Sequence, residues 1–282
     1  MMHPSFKHRR TIGALAALLL LLAVFAVAGC GSGKPSSSAP ASSSSTAAAS
    51  HASSGARFSF IVCGDPQNNY EVFDRVLAAA KGVDFLLIAG DLTGSGTPTE
   101  FQSFLNVVRA SGVKYYCVPG NHDVATSPVS QAYTQYIGPP HQSFDFQNSH
   151  FLLIDDSTPE LGFYPAEQQW AAADLKAAKA RGAEHVFAMA HVPPRFPYSA
   201  KAYSGQIAGI DANERLAPVL KSGGAQELFC GHVHTHEQET EDGLPITITG
   251  GAGAPLMGAD SYHNYVLVEV NGRQVSQKVV RI

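Results

Sequence analysis

Short apolar runs alternate with helix-patterned segments along most of the chain after residue 56. Runs rich in β-branched and aromatic residues predict strands at 57–63, 84–89, 113–118, 184–190 and 225–230. Apolar residues at helical spacing predict helices at 70–81, 97–111, 165–181 and 213–221. Asn68 and Asn69 are candidate caps of the first helix. This alternation of strands and helices is typical of an α/β fold.

The rest of the pattern is β-structure. A hairpin is predicted over residues 143–155, around Asn148-Ser149. Four strand-like segments close the chain, with turns predicted at Asp242-Gly243 and Asn271-Gly272.

The first 29 residues have the pattern of an export signal. A basic cluster at residues 7–10 precedes residues 12–29, which are all apolar or glycine. Small residues stand immediately before Cys30, as in a bacterial lipobox, where cleavage precedes the cysteine and its sulfur receives a diacylglycerol. We therefore expect a protein of the bacterial cell envelope, outside the cytoplasm, held to a membrane by lipidated Cys30. An uncleaved transmembrane anchor is the alternative, since 18 apolar residues nearly span a bilayer.

Residues 30–56 are predicted to be a tether. They are mostly Ser and Ala, and Lys34 is their only charge, so they have no face to bury. Residues 57–282 are then left for a single folded domain. Cys63, Cys117 and Cys230 each end a predicted strand, and we expect them to be buried and unpaired.

Charge argues against a nucleic-acid partner. The chain has 19 basic and 23 acidic residues, a net charge of −4. Without Lys7, Arg9 and Arg10 in the signal, sixteen basic residues face 23 acidic ones, a net charge of −7. A domain this acidic lacks the basic surface that binds nucleic acid.

Five predicted strands each end in a loop that carries metal-ligand residue types. The loops are Gly64-Asp65-Pro66-Gln67, Gly90-Asp91, Gly120-Asn121-His122-Asp123, His191 and Gly231-His232-Val233-His234. Residues at the carboxyl ends of sheet strands converge in space even when they are distant in sequence. One such loop alone is an ordinary polar turn, but five in succession predict a metal site. Mixed oxygen and nitrogen ligands suit Mn, Fe or Zn. By contrast, His150 and His185 adjoin strand starts and are expected to be structural.

In this order the motifs resemble those of the calcineurin-like metallophosphoesterase family, over nearly all of residues 57–282. One residue departs from the pattern, because Gln67 stands where the family usually has His. The resemblance implies a four-layer α/β/β/α sandwich, in which two mixed sheets pack face to face with helices outside. It also implies two divalent or trivalent metal ions.

The resemblance assigns the ligands residue by residue. One ion is expected on Asp65, Gln67 and His234, and the other on Asn121, His191 and His232. Asp91 is expected to bridge the two ions. Since an amide is a weaker ligand than an imidazole, Gln67 is expected to bind its ion loosely or through a water.

The resemblance also assigns the chemistry. A hydroxide held between the two ions would attack phosphorus. His122 would face the phosphate and, as an imidazolium, protonate the leaving oxygen. Asp123 would orient His122 or merely cap a turn, and the family pattern favours orientation. Arg195, in the loop after His191, is a candidate for holding a second phosphate or a carboxylate. A solvated loop arginine is an equally good interpretation.

The sequence therefore predicts a membrane-tethered, extracytoplasmic hydrolase of phosphomonoesters or phosphodiesters. The substrate classes left open are nucleotides, sugar phosphates, phosphodiesters and phospholipid head groups. One alternative is a non-enzymatic envelope binding protein, on which view Gln67 marks a degraded site. Another is a metal-dependent nuclease, which the acidic charge disfavours.

Overall fold

The computed structural model describes residues 55–124, 131–158, 161–194 and 215–282. All of these belong to one compact unit. The predicted signal at 1–29, the lipidation site Cys30, the tether up to residue 54 and Arg195 lie outside the described residues. Within the described ranges, no helix is both long enough and apolar enough to cross a bilayer.

Strands and helices alternate first, and β-structure then closes the chain. In chain order the elements are β1 (Arg57–Cys63), α1 (Tyr70–Ala80), β2 (Phe85–Ala89), α2 (Pro98–Ser111), β3 (Tyr115–Val118), α3 (Gln131–Tyr136), β4 (Gln142–Phe146), β5 (Ser149–Leu153), α4 (Pro165–Ala180), β6 (His185–Met189), α5 (Leu216–Gly223), β7 (Glu227–Cys230), β8 (His236–Glu241), β9 (Leu244–Thr249), β10 (Asn264–Asn271) and β11 (Gln274–Arg281).

These strands form two mixed sheets. The first has the order β11-β10-β1-β2-β3, and the second has the order β4-β5-β6-β7-β9-β8. In the first sheet β1, β2 and β3 are parallel to one another, β10 is antiparallel to β1, and β11 is antiparallel to β10. In the second sheet β5, β6, β7 and β9 are parallel, and β4 and β8 form antiparallel edges. The parallel strands of each sheet therefore end at one edge.

The side chains on the two faces of β1 pack into different layers of the core. Phe58 and Phe60 point into a core between the two sheets, while Ile61 and Cys63 point toward the helices. Between the sheets, the rings of Phe60 and Phe85 stack with centroids 5.3 Å apart, and the edge of Phe151 meets each of them at 5.2 Å. Aromatic side chains thus form much of the contact between the sheets.

Helices cover the two outer faces. Phe73 of α1, Phe104 of α2 and Tyr133 of α3 pack against the first sheet. Leu175 of α4 and Leu220 of α5 pack against the second. The order of layers is therefore helix, sheet, sheet, helix, which confirms the predicted four-layer α/β/β/α architecture.

Most predicted elements are present, and the differences are local. Helix α3 was not predicted, because six residues are too few to show a helical period. Asn69 stands at the N-cap of α1, as predicted, but its side chain makes no capping bond and instead donates to the Gly253 carbonyl at 2.8 Å. The turn at Asp242-Gly243 is confirmed, with φ values of 50° and 76° that suit a type I′ hairpin. The last turn lies one residue later than predicted, at residues 272–273.

The three cysteines that the structure describes are buried and free, as predicted. Burial raises the pKa of the Cys117 thiol to about 12. These thiols are therefore protonated at neutral pH and act as small apolar core residues.

Candidate metal centre

The five predicted loops meet where β1, β2, β3, β6 and β7 end, and several of them have unusual backbone conformations. Four of their non-glycine residues have positive φ angles: Asp65 (61°), Gln67 (38°), Asp91 (51°) and His232 (68°). Such residues are uncommon and cluster at functional sites. The loops also approach closely, because a Cβ atom on Gly120 would lie 2.1 Å from Asp91 Oδ1. The backbone is thus shaped to bring these side chains together.

One group of donor atoms surrounds a single point. Asn121 Oδ1 lies 3.0 Å from His191 Nε2 and 2.8 Å from His232 Nδ1, and the two imidazole nitrogens are 3.1 Å apart. Asp91 Oδ1 lies 3.4 Å from His191 Nε2. Ligand bonds of about 2.0–2.2 Å place the ligands of one ion roughly 3.0–3.5 Å from each other. The spacing of this group is therefore that of a coordination sphere.

The electrostatics of this group favour a cation. Burial and the neighbouring His191 lower the pKa of His232 to about 3, so His232 is neutral. Burial also lowers the pKa of His191, but the carboxylates of Asp91 and Asp65 outweigh it and raise that pKa to about 9. His191 Nδ1 donates to the Ala89 carbonyl at 2.8 Å, which leaves Nε2 facing the group. The carboxylates of Asp91 and Asp65 thus stabilise positive charge at His191, and the donor atoms of the group fit a divalent cation.

A second group lies on the other side of Asp91. His234 Nδ1 donates to the Pro255 carbonyl at 2.7 Å, so its Nε2 faces Asp65 Oδ1 at 3.5 Å. Gln67 Nε2 donates to Asp91 Oδ2 at 2.8 Å and lies 3.4 Å from His234 Nε2. Gln67 thus lies where predicted, with its amide nitrogen toward Asp91. Rotation of the amide would bring the carbonyl oxygen, its ligand atom, to the same place.

The side chain of His122 lies over Asp91 at the solvent side of the centre and is 42% exposed. Its backbone N–H donates to Asp91 Oδ1 at 2.9 Å. Its ring Nε2 is 4.0 Å from Asp91 Oδ2, and its Nδ1 donates to the Gly94 carbonyl at 2.7 Å. Because a carbonyl can only accept, Nδ1 carries a proton and Nε2 faces the centre.

Of the two roles predicted for Asp123, the structure shows turn capping and not orientation of His122. Its buried carboxylate accepts the backbone N–H groups of Leu92, Thr93 and Gly120, and also the Thr93 hydroxyl, at 2.8–3.0 Å. Asp123 therefore joins the loops after β2 and β3. The carbonyl of Gly94, and not Asp123, orients the ring of His122.

Asp156 holds the backbone of the loop that carries His191, although no sequence motif includes it. Its buried carboxylate accepts the backbone N–H groups of His191 and Val192 at 2.9 and 3.0 Å. In the sequence, Asp156 is marked by its position shortly after the apolar run that forms β5. In the structure β5 pairs with β6, the strand that His191 follows.

His150 and His185 lie outside the centre, as predicted. Both ring nitrogens of each histidine are hydrogen-bonded to groups away from the centre.

Known proteins share sequence features with this chain. The sequence profile of the calcineurin-like phosphoesterase family matches residues 58–236. The chain belongs to this family. It is 26% identical over 200 residues to a glycerophosphodiester phosphodiesterase of Enterobacter lignolyticus, which covers 64% of this chain and 68% of that one. It is 24% identical over 201 residues to a serine/threonine-protein phosphatase of Homo sapiens, which covers 65% of this chain and 63% of that one.

The fold is likewise found among solved structures. A purple acid phosphatase from yellow lupin (Lupinus luteus) has a TM-score of 0.67 and 13% identity, covering 81% of this chain and 52% of that chain. The chain thus spans about half of the lupin protein. Together these findings confirm the predicted family, the predicted fold and the predicted class of a metal-dependent phosphoric ester hydrolase. The buried cluster of Asp65, Asp91 and His191 fits divalent metal binding.

Proposed function

We propose that this protein is a di-metal phosphoesterase, tethered to a bacterial membrane and acting outside the cytoplasm. The observation that carries the proposal is the convergence of all seven predicted ligands beneath the half-exposed ring of His122. Diesters are the first substrate class to test, since the Enterobacter relative is named as a diesterase. Phosphomonoesters come second, since the human relative is named as a phosphatase.

The proposed site divides its residues between two ions. Asn121, His191 and His232 would hold one, Asp65, Gln67 and His234 the other, and Asp91 would lie between them. Manganese, iron and zinc all suit such mixed oxygen and nitrogen ligands. When bound, such a pair of cations would polarise phosphoryl oxygens and lower the pKa of a water molecule.

The protein's own part in catalysis would fall to His122. Because its Nδ1–H is held by the Gly94 carbonyl, Nε2 is the atom that can reach a substrate. A proton carried on Nε2 can be given to the leaving oxygen as the P–O bond breaks. The partial exposure of this ring leaves room for the ester group beside it.

The location rests on the sequence of residues 7–30 alone. A basic cluster, an apolar run and small residues before Cys30 support export and lipid attachment. Such a tether would give access to soluble phosphate esters and to phospholipid head groups.

A comparison of variants in the full-length protein, purified in detergent and loaded with Mn²⁺, tests the activity. We expect hydrolysis of bis-p-nitrophenyl phosphate or p-nitrophenyl phosphate. His122→Gln should lower kcat by about 100-fold or more while bound metal per chain is unchanged. His185→Gln is the matched control, because His185 begins the strand that His191 follows and lies at its opposite end.

Each result decides between the candidate functions. Turnover of the diester alone identifies a diesterase, and single-stranded DNA is then the substrate that tests the nuclease alternative. A folded, metal-loaded protein that turns over neither ester would contradict the proposal in favour of the envelope binding protein.

A further inference from the structure

Glu100 caps helix α2. The Thr97 hydroxyl accepts the Glu100 backbone N–H at 3.3 Å, and Glu100 Oε2 in return accepts the Thr97 backbone N–H at 3.0 Å and its hydroxyl at 2.7 Å. This reciprocal pair is a capping box, and it accounts for one oxygen of the carboxylate.

The other oxygen makes contacts that capping does not require. Asn68 Nδ2, in the loop after β1, donates to Glu100 Oε1 at 2.7 Å. The backbone of Gly94, in the loop after β2, packs against the same oxygen. The three groups are closely packed, since a Cβ atom on Gly94 would lie 3.1 Å from Asn68 Nδ2 and 3.3 Å from Glu100 Oε1. Glu100 thus joins two loops of the metal centre.

Gly94 connects this contact to His122. Its backbone packs against Glu100, and its carbonyl accepts the Nδ1–H of the His122 ring at 2.7 Å. Asp123 holds the residues just before Gly94 by accepting the N–H groups of Leu92 and Thr93. The loop that carries the Gly94 carbonyl is therefore in contact with both Glu100 and Asp123.

We propose that Glu100 is a positioning residue for His122, which it orients through the backbone of Gly94. By fixing the Gly94 carbonyl, Glu100 keeps the proton of a neutral His122 on Nδ1 and keeps Nε2 directed at the substrate. The role of Nε2 in catalysis rests on the function proposed above. The tautomer of His122 and its hydrogen bond to the Gly94 carbonyl do not depend on that function.

Leaving-group dependence tests the consequence for catalysis. In the full-length, Mn²⁺-loaded protein, kcat and KM are measured for methyl p-nitrophenyl phosphate and methyl phenyl phosphate. Phenoxide is the poorer leaving group and depends more on a proton from His122. We expect Glu100→Ala to lower kcat about tenfold to a hundredfold for the phenyl ester and only about threefold for the nitrophenyl ester, with KM unchanged.

Three further variants separate positioning from capping. Glu100→Gln keeps the shape of the side chain but loses an acceptor oxygen, and should show a smaller effect in the same direction. Thr97→Ala removes the capping hydroxyl but leaves Asn68 and Gly94 in place, so it should lower the Tm without changing leaving-group dependence. Glu71→Gln makes the same charge change in the first turn of α1 and should change neither property.

Nitrogen chemical shifts of the His122 ring, measured on the metal-free protein, provide a readout independent of activity. In the wild type at a pH where the ring is neutral, the proton is expected on Nδ1, and Glu100→Ala should shift the ring toward a mixture of tautomers. Retention of the Nδ1–H form in Glu100→Ala, or an equal loss of kcat for both esters, would overturn the proposal. If the wild type hydrolyses neither ester, the proposed function fails, and the tautomer alone decides the role of Glu100.

Discussion

Asp123 and Asp156 are buried carboxylates that act on the backbone around the metal centre. Each accepts N–H groups from a loop that carries ligands: Asp123 from the loops after β2 and β3, Asp156 from the loop after β6. Hydrogen bonds to a buried carboxyl group fix the direction of the backbone groups that donate them. They give ligand-bearing loops, which are ordinarily mobile, the fixed geometry that metal coordination requires.

Asp156→Asn should weaken both the fold and metal binding. The new amide nitrogen would face one of the backbone N–H groups of His191 and Val192 and leave it without an acceptor. We expect a loss of about 1–3 kcal/mol in the free energy of unfolding of the metal-free protein. Calorimetric titration should also show lower Mn²⁺ affinity. Asp242→Asn is the control, because Asn suits that exposed type I′ turn equally well. Unchanged Mn²⁺ affinity in Asp156→Asn would contradict this role.

Gln67 is where the chain departs from its family's usual motif, and its amide now hydrogen-bonds Asp91. Gln67→His should raise the affinity of the ion proposed to lie on Asp65 and His234, because imidazole is a stronger ligand than an amide for these metals. Metal per chain, measured by mass spectrometry after dialysis at low metal concentration, checks this. Gln67→Asn, which keeps the amide but shortens its reach, should lower retention; equal retention by all three proteins would refute the expectation.

At the scale of elements, a polar contact centred on Glu227 joins strands from both sheets. Glu227 of β7 accepts the hydroxyl of Thr247 in β9 at 2.6 Å, and its other oxygen accepts the amide of Gln277 in β11. Burial raises the pKa of Glu227 above its ordinary value of 4.5, although both hydrogen bonds oppose the shift. Ionised Glu227 is therefore less favourable in the folded state than in the unfolded state.

This contact predicts a pH dependence of stability. A carboxyl whose pKa is raised on folding stabilises the protein below its unfolded pKa, about 4.5, and that contribution is lost as pH rises through the higher folded pKa. Glu227→Gln does not titrate, so its free energy of unfolding should increase relative to wild type between pH 4.5 and pH 7. Urea unfolding of both proteins at several pH values measures the difference. A constant difference across this range would show that the pKa of Glu227 does not shift.

At the scale of the whole molecule, the metal centre is assembled from both sheets. Asp65, Asp91 and Asn121 follow strands of the first sheet, whereas His191 and His232 follow strands of the second. The distances between their donor atoms therefore depend on how the sheets pack. Phe60, Phe85 and Phe151 hold that packing from opposite sides of the interface. Core packing and metal geometry are thus coupled in this fold.

At the same scale, the proposed membrane attachment through Cys30 can be tested by labelling. If Cys30 carries a diacylglycerol, Cys30→Ser should abolish incorporation of a labelled fatty acid and cleavage of the signal. Expression in bacteria, followed by fractionation and mass measurement of the N-terminus, checks both. Cys63→Ser is the control and should keep the label. A wild-type protein that keeps residues 1–29 and takes no label would favour the uncleaved transmembrane anchor.

The sequence by itself determined those features that depend on near neighbours along the chain. The apolar run at residues 57–63 is β1 without any shift in its ends, and the pattern at 165–181 is helix α4 to within one residue. The strand-end positions of Asp65, Asp91, Asn121, His191, His232 and His234 were equally readable, since each follows an apolar run. With the family resemblance, the same patterns predicted the four layers.

The tertiary structure alone decided which polar groups hold the centre in place. Asn68 meets Glu100 across 32 positions, and Asp156 meets the His191 backbone across 35. Periodicity reports on a local face of a helix or strand, and it carries no information about which loop lies opposite. The family resemblance likewise favoured Asp123 as the partner of His122, whereas the partner in space is the carbonyl of Gly94. Sheet order and packing bring these groups together, and only the folded chain shows them.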